Sequence, residues 1–594
     1  MLWAAFDFPR HPLAREDGER VRGAYYEPPA CWLRAHRADE LRAVIDEAQQ
    51  ASRAGAWVLG GLRYEAAHAF DPALAGHASM LPLAEFAVYE KPPEAWPVSV
   101  SANASAQLTS DWRDVQSDAR ECAQIERIRE YIRAGDCYQV NLTTRLRADL
   151  QAADPAELFL ALHQNQPGGF SLFLREAGAL SVSPELFFDW RPLPDTERTW
   201  LLAAQPMKGT AARGRDRVED EAAQAYLRTS IKERAENLMI VDLLRNDIGR
   251  VAKIGSVRVP RLFELHALPT VWQMTSTVTA VGQPGLRLSD VFAALFPCGS
   301  VTGAPKVRAM QIIEELEPEA RGWYCGALGV LQPGGIATFN VPIRTVEMEE
   351  GAALRCGIGS AITLDSAPAA EVAEWRAKTR FLLRAQQPIA ALETLRLQDG
   401  DFIRLAGHLG RLQRTARHFG LKLQLGAVRD ALAELALQHP DGQHRVRLTV
   451  SATGEIALQC LPSPATPSVV RLALAKKPID TEGPAAEFLQ HKTTRRKIYQ
   501  PFADAKPEGA FDVLLWNQAG ELTECTFGNI AVKLNGWWIT PPASCGLLPG
   551  VLRDELLAQG RLRQGRILVR DLERAEGLAF INSLRGWVDA ELLH

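Results

Sequence analysis

The chain has 594 residues, enough for several domains, with 47% apolar and 23% charged side chains, the balance of a globular protein with a substantial core. A net charge of -4 gives no electrostatic drive toward nucleic acid or an anionic membrane, while leaving small anionic substrates open. Nine cysteines without a C-x-x-C pair or regular spacing read as thiols of a reducing compartment. MLWAAFDFPR lacks the basic stretch and apolar run of an export signal, and no apolar run is long enough to span a bilayer, so a cytoplasmic location is expected.

Residues 38–51 carry Leu41, Val44, Ile45 and Ala48 at helical spacing, and 57–61 read as a buried strand ending in a glycine turn. Residues 91–110, with three prolines and a Ser/Ala run, read as a linker between lobes. A helix over 120–134 stops at Gly135, and the strand after it places Gln139, Asn141 and Thr143 on one face. Strands are expected at 170–174, 179–189 and 198–204, followed by a turn carrying Lys208 between Pro206 and Gly209 and by one long helix over 219–246. Two strands around Pro269 fill 256–280, a loop over 297–306 opens a helix, and two strands run near 323–331 and 336–347. A glycine-rich turn at 356–360 precedes a helix bearing Glu371, Glu374 and Lys378. The region lacks a regular βα repeat, which predicts an α/β (α+β) fold of two large packed sheets with peripheral helices.

A boundary falls at 386–388. Beyond it come a hairpin turning at Asp399-Gly400, a basic amphipathic helix over 405–419 and a second hairpin over 444–460. The Pro/Ser/Thr-rich residues 462–468 divide this part into lobes of about 390–462 and 469–594. The expected organisation is therefore 1–110, 111–385 and 390–594.

Chemistry-bearing residues cluster in both parts. Glu371 and Glu374 share a helix face and, with Glu236, are candidate ligands for a hard cation such as Mg²⁺. Arg344, Lys378 and the backbone of the 357–360 turn are what a carboxylate-bearing substrate needs. In the last part, a glycine before the helix at 551 is a natural phosphate site.

PMKGT (206–210) with ARG (212–214), AENLMIVDLLRNDIGR (235–250), FPCGSVTGAPKVRAMQII (296–313), FNVPIRT (339–345) and CGIGS followed by AAEVAEW and Lys378 resemble, in order, the chorismate-utilising enzymes over about 50–385. The resemblance implies a two-layer sandwich and Mg²⁺ held by Glu236 and Glu374, with Glu371 supporting through water. It implies substrate carboxylates on Arg344, Lys378 and the backbone of Gly357 and Gly359, with Thr302 lining the pocket. Relatives that add water carry a lysine where this chain has Gln139, and glutamine is no general base, so ammonia is the expected nucleophile. Relatives that make an ortho-amino product usually have alanine at Lys208. A lysine there can attack C2 of chorismate, expel the C4 hydroxyl and be displaced by ammonia at C4. Many relatives have histidine at Gln273.

Lys492 in QHKTT, Arg411 in HLGRL, and Glu524 and Thr526 in ELTECTFGNI resemble the fold-type IV pyridoxal 5'-phosphate enzymes over about 390–594. The resemblance implies Lys492 as the cofactor lysine and Glu524 on the pyridine nitrogen. The phosphate falls to Arg411, Thr526 and the backbone of Val551 and Leu552, and Thr394 assists protonation of the leaving group. Together the halves imply synthesis of 4-aminobenzoate, by amination of chorismate and then elimination of pyruvate. The alternatives are an anthranilate-forming half fused to a class IV aminotransferase, and a C-terminal half that is a non-catalytic scaffold. The chain has no Gly-x-Cys-x-Gly elbow with partner His and Glu, so a separate glutamine amidotransferase subunit is the expected ammonia source. A homodimer through the C-terminal part is also expected.

Overall fold

The structure, a computed structural model, describes residues 1–11, 19–97, 107–151, 154–166, 168–193, 199–212, 217–267 and 271–593. It divides into two compact units, Met1–Gln386 and Gln387–His594.

The first unit is built on two antiparallel sheets. One is nine-stranded. Its spine runs from Gly303–Ala304 through Gln139–Asp149, Ala353–Ile362, Thr345–Met348, Ala179–Ser183 and Phe170–Leu174 to Ala4–Pro9 and Arg20–Tyr25. The other is ten-stranded, from Met207–Ala212 through Val271–Val281, Trp200–Gln205, Leu186–Pro192, Ile336–Asn340 and Ala327–Gln332 to Trp57–Leu62, Ala84–Tyr89 and Cys31–Ala35. Phe6, Phe8 and Leu172 of the first sheet pack with Leu59, Leu328 and Val330 of the second in one buried cluster. The alternation of apolar residues along these strands thus makes a two-layer sandwich. Helices cover the outer faces. Leu41–Arg53, with Leu41, Val44, Ile45 and Ala48 buried, packs on one, and Asp118–Arg133 and Pro368–Lys378 on the other.

Several local expectations change. Strands within residues 4–89 belong to both sheets, so the proline-rich stretch does not separate a lobe of its own. Gly60 and Gly61 lie inside the strand Trp57–Leu62. A Cβ at either would come within 2.0 Å of a neighbouring strand's carbonyl oxygen, so close strand approach, not a turn, requires glycine. Residues 356–360 are likewise strand, within Ala353–Ile362. A Cβ at Gly357 would sit 2.3 Å from the Tyr324 ring, and one at Gly359 2.2 Å from the Leu142 carbonyl oxygen. The long acidic helix is two helices, Arg217–Thr229 and Ile231–Gly249, broken where the Ser230 side chain caps the second by accepting the Glu233 N–H. Lys208 is not in a turn but on the strand Met207–Ala212. The structure adds the helices Pro155–Asn165, Leu288–Leu295 and Leu425–Gln438. Pro269 and most of the ARG motif lie outside the described residues.

The second unit has two lobes. A four-stranded sheet, Asp401–Phe402, Ala391–Gln398, Gln443–Val450 and Ile456–Pro462 in spatial order, carries the helices Leu405–Phe419 and Leu425–Gln438. An eight-stranded mixed sheet spans 469–592 and includes Asp512–Trp516, Leu522–Cys525, Asn529–Leu534 and Gly577–Asn582.

Candidate active sites

In the first unit the site grows from an irregular strand. Pairing of Met207–Ala212 with Val271–Val281 slips between Met207 and Thr210, and Gly209 takes φ 99°, a bulge that re-aims the side chain beside it. The buried Asn237 amide donates to the Lys208 carbonyl at 3.0 Å and accepts from Ser276 at 2.6 Å. This ties the strand to the helix carrying Glu233 and Glu236. Gln273 donates to the Gly209 carbonyl and accepts from the Thr210 hydroxyl, both at 3.1 Å. Its amide therefore braces the bulge.

Dense protein around Lys208 pulls its ammonium below the ordinary lysine range. Glu236 opposes that shift, Lys378 adds to it, and Glu185 and Glu374 oppose it. The electrostatics therefore gather Lys208 with Glu185, Glu236, Glu374 and Lys378. Glu185 was not singled out from the sequence. It is buried, accepts the Ser300 hydroxyl at 2.6 Å and the Met207 N–H, and is pushed up to about 7 by burial. Ser300 in turn accepts, through its carbonyl, the Asn141 amide at 2.8 Å. A hydrogen-bond path thus runs from the strand of Gln139 to the neighbourhood of Lys208. Gln139 is fully buried with neither amide atom hydrogen-bonded.

The acids have distinct partners. Glu374 pairs with Lys378 at 2.8 Å, and Lys378 also donates to the Gly359 carbonyl at 2.8 Å. Against the cost of burial, Lys378 and then Lys208 hold Glu374 below the usual carboxylate range. Glu371 accepts the hydroxyls of Ser360 at 2.5 Å and Ser366 at 2.7 Å. Glu233 is pushed up by burial and by the charges of Glu236 and Glu374. Among the described residues no three His, Cys, Asp or Glu side chains already converge as a metal cage. The mutual repulsion of these carboxylates is nevertheless what a hard divalent cation relieves, and an all-oxygen donor set suits Mg²⁺. Arg344, in the left-handed region at φ 51°, donates to the Gln166 amide oxygen. It is brought down to about 10 by burial and by Arg384. Thr302 is buried, and its hydroxyl donates to the Cys298 carbonyl at 3.1 Å.

In the second unit Lys492, Glu524, Arg411, Thr526, Thr394 and Val551 all line one cavity of about 510 Å³. Burial, then Arg411 and Arg496, bring Lys492 down to about 7. Glu524 accepts the Tyr499 hydroxyl at 2.7 Å and the Leu548 N–H at 3.2 Å, and burial pushes it up to about 7. A buried carboxyl held so near neutrality is suited to a protonated pyridine nitrogen, and a near-neutral lysine to a carbonyl carbon. Arginines 411, 445, 447, 496 and 585 on the same walls suit a phosphate and carboxylates. The residues present thus fit pyridoxal 5'-phosphate. Two details, at Arg411 and Thr526, depart from expectation. Two nitrogens of Arg411 are held by Glu393, at 2.8 and 2.6 Å. The Thr526 hydroxyl donates to Asp512. The Leu552 side chain packs in the apolar core beside Ala531 and Leu556, leaving only its backbone for a ligand.

The first unit gathers a buried lysine whose ammonium is drawn below its ordinary range with three glutamates and a second lysine, and the second unit has a cavity whose lining fits pyridoxal 5'-phosphate. The family model for chorismate binding enzyme matches residues 13–384, and the chain belongs to that family. The model for amino-transferase class IV matches residues 390–592. Aminodeoxychorismate synthase component 1 of Escherichia coli (strain K12) is 44% identical over 279 residues, 47% of this chain and 60% of that protein. Anthranilate synthase component 1 of Streptomyces coelicolor is 38% identical over 280 residues, 47% of this chain and 53% of that protein. The chain thus spans no more than about 60% of the length of the curated relatives it matches first. A solved putative 2,3-dihydroxybenzoate-specific isochorismate synthase from Bacillus anthracis aligns over 65% of this chain and 96% of its own. It does so with TM-score 0.50 and 20% identity, a likeness of fold. Among the described residues no helix is long and apolar enough to cross a membrane.

Proposed function

We propose that the first unit aminates chorismate to 4-amino-4-deoxychorismate and that the second releases pyruvate from this product to give 4-aminobenzoate. The observation that carries the reading is Lys208, an amine drawn toward neutrality beside Glu185, Glu236 and Glu374. Neutral Nζ attacks C2 of chorismate, the ring double bond shifts, and the C4 hydroxyl leaves as water with a proton from Glu185. Ammonia then bonds to C4, the double bond shifts back, and Lys208 departs from C2. Gln139 has no basic atom to activate water. Arg344 and Lys378 hold the substrate carboxylates, beside the backbone of Gly357 and Gly359 and the wall formed by Thr302. Glu236 and Glu374 would hold Mg²⁺, which would supply positive charge for an anionic substrate. Glu371, both oxygens already bonded to hydroxyls, suits outer support.

In the second unit Lys492 would hold pyridoxal 5'-phosphate, which supplies an electron sink when bound. Glu524 keeps a proton at the pyridine nitrogen, and Arg411, Thr526 and the backbone of Val551 and Leu552 receive the phosphate. Lys492 takes the C4 proton of the amino-substituted ring. The Thr394 hydroxyl hands a proton to the departing three-carbon unit, and the ring becomes aromatic. A separate glutamine amidotransferase subunit would supply ammonia, a reading supported by the name component 1 on the E. coli relative. The test is one incubation with chorismate, Mg²⁺, ammonium and pyridoxal 5'-phosphate. 4-Aminobenzoate with equimolar pyruvate is expected, and anthranilate would contradict the reading.

A further inference from the structure

Lys492 belongs to an extended segment whose two sides do different work. Lys492 and Thr494 both line the C-terminal cavity. Side chains alternate along an extended chain, so His491 and Thr493 point to the opposite side. His491 is itself extended, at φ -123° and ψ 132°. One attachment of the segment is to the strand Ala391–Gln398 and the residue before it. The Lys492 carbonyl accepts the Leu392 N–H at 3.0 Å, and the Thr494 N–H donates to the Ala390 carbonyl at 3.0 Å.

Rings on the far side give a second attachment. The His491 imidazole stacks on that of His418, with centroids 4.0 Å apart and planes 17° from parallel. Phe488 stacks on Phe419 at 5.6 Å and 7°, and Phe419 meets His491 almost at right angles, at 5.5 Å. Glu487 hydrogen-bonds His418 Nε2 at 3.1 Å and so sets the plane of the ring on which His491 lies. Three residues just before Lys492 therefore grip the last turn of the helix Leu405–Phe419. Burial, Arg411 and Arg496 draw the Lys492 ammonium toward neutrality, while Glu393 and Glu524 oppose them. All five influences depend on how deep in the cavity the amine is held.

We propose that His491 is a positioning residue for Lys492: stacked on His418, it holds the extended segment against the helix Leu405–Phe419 and fixes the depth of the Lys492 amine in the cavity. His418 acts through His491. The use of that amine by a cofactor rests on the pyridoxal 5'-phosphate reading above, whereas its placement does not.

The test uses the full chain free of cofactor. Competitive labelling of its amines with acetic anhydride, read by mass spectrometry of the peptide containing Lys492, gives the pH at which that amine is half neutral. A midpoint of about 7 is expected for the unaltered chain. His491→Ala should raise the midpoint by about 0.5–1 pH unit, the worth of an aromatic pair, because the freed amine gains water. His418→Ala should raise it likewise, and it carries the same test with the Lys492 segment intact should His491→Ala fail to fold. His491→Phe, which keeps a flat ring on His418, should return the midpoint close to that of the unaltered chain. A merely structural contact would lower the folded fraction and leave the midpoint of the folded protein in place. Capture of pyridoxal 5'-phosphate at pH 6 should slow about three- to tenfold in the alanine variants. An unmoved midpoint in the alanine variants, or a midpoint in His491→Phe displaced as far as in His491→Ala, would overturn the inference. Midpoints that move as expected in a chain that captures no pyridoxal 5'-phosphate would uphold the inference and overturn the cofactor reading alone.

Discussion

The Ser300 hydroxyl donates a 2.6 Å hydrogen bond to Glu185 Oε1, and this contact works against burial on an acid whose charge acts on Lys208. Burial pushes Glu185 up to about 7, and the bond from Ser300 pulls it back. A carboxyl so placed is protonated below neutrality and can give its proton to the leaving hydroxyl.

If Glu185 is that acid, ammonia-dependent turnover in the first unit falls as pH rises through about 7, because the proton it must donate is lost. Ser300→Ala removes a bond that favours the carboxylate, so the falling limb moves to higher pH. Glu185→Gln should slow the step about 10²- to 10⁴-fold and abolish that limb. A pH–rate profile of the three proteins checks this, and an unmoved limb in Ser300→Ala would count against Glu185.

Gln139 carries two buried amide atoms with no partner, an arrangement that costs about 1–3 kcal/mol. Replacement by methionine, similar in volume and apolar, should stabilise the first unit by about 1–2 kcal/mol while lowering its turnover, the trade expected of a group kept for a ligand. Urea unfolding monitored by tryptophan fluorescence measures the first effect. A destabilised Gln139→Met protein would contradict it.

Lys492, brought down to about 7 by burial and by Arg411 and Arg496, is mostly neutral at pH 8. The rate at which the cofactor-free chain captures pyridoxal 5'-phosphate should climb through pH 7 and level off by pH 8. An ordinary lysine would keep gaining rate toward pH 10. Stopped-flow absorbance, with Lys492→Ala as the blank, separates the two.

Periodicity and turn chemistry carried much of the fold. The helix Leu405–Phe419 has the bounds its apolar spacing predicts, and the hairpin turns at Asp399 and Gly400, both with positive φ, as an Asp-Gly pair should. The misreadings have physical causes. Pro206-Met207-Lys208-Gly209 has turn composition, yet Gly209 serves a bulge inside a strand. Gly357 and Gly359 are there because Tyr324 and the Leu142 carbonyl leave no room for a Cβ, which no local pattern reports. Glu185 sits in a Ser-Pro-Glu stretch without periodicity, and only its burial beside Ser300 marks it. His418 and His491 lie on separate elements, so tertiary contact alone joins them.

In the proposed reaction Lys208 selects the position of amination. Lys208→Ala, incubated with chorismate, Mg²⁺ and ammonium and its products separated by liquid chromatography with mass detection, tests it most directly. 4-Amino-4-deoxychorismate is expected to disappear, and any aminated product to be anthranilate. Undiminished formation of 4-amino-4-deoxychorismate by the variant would contradict it.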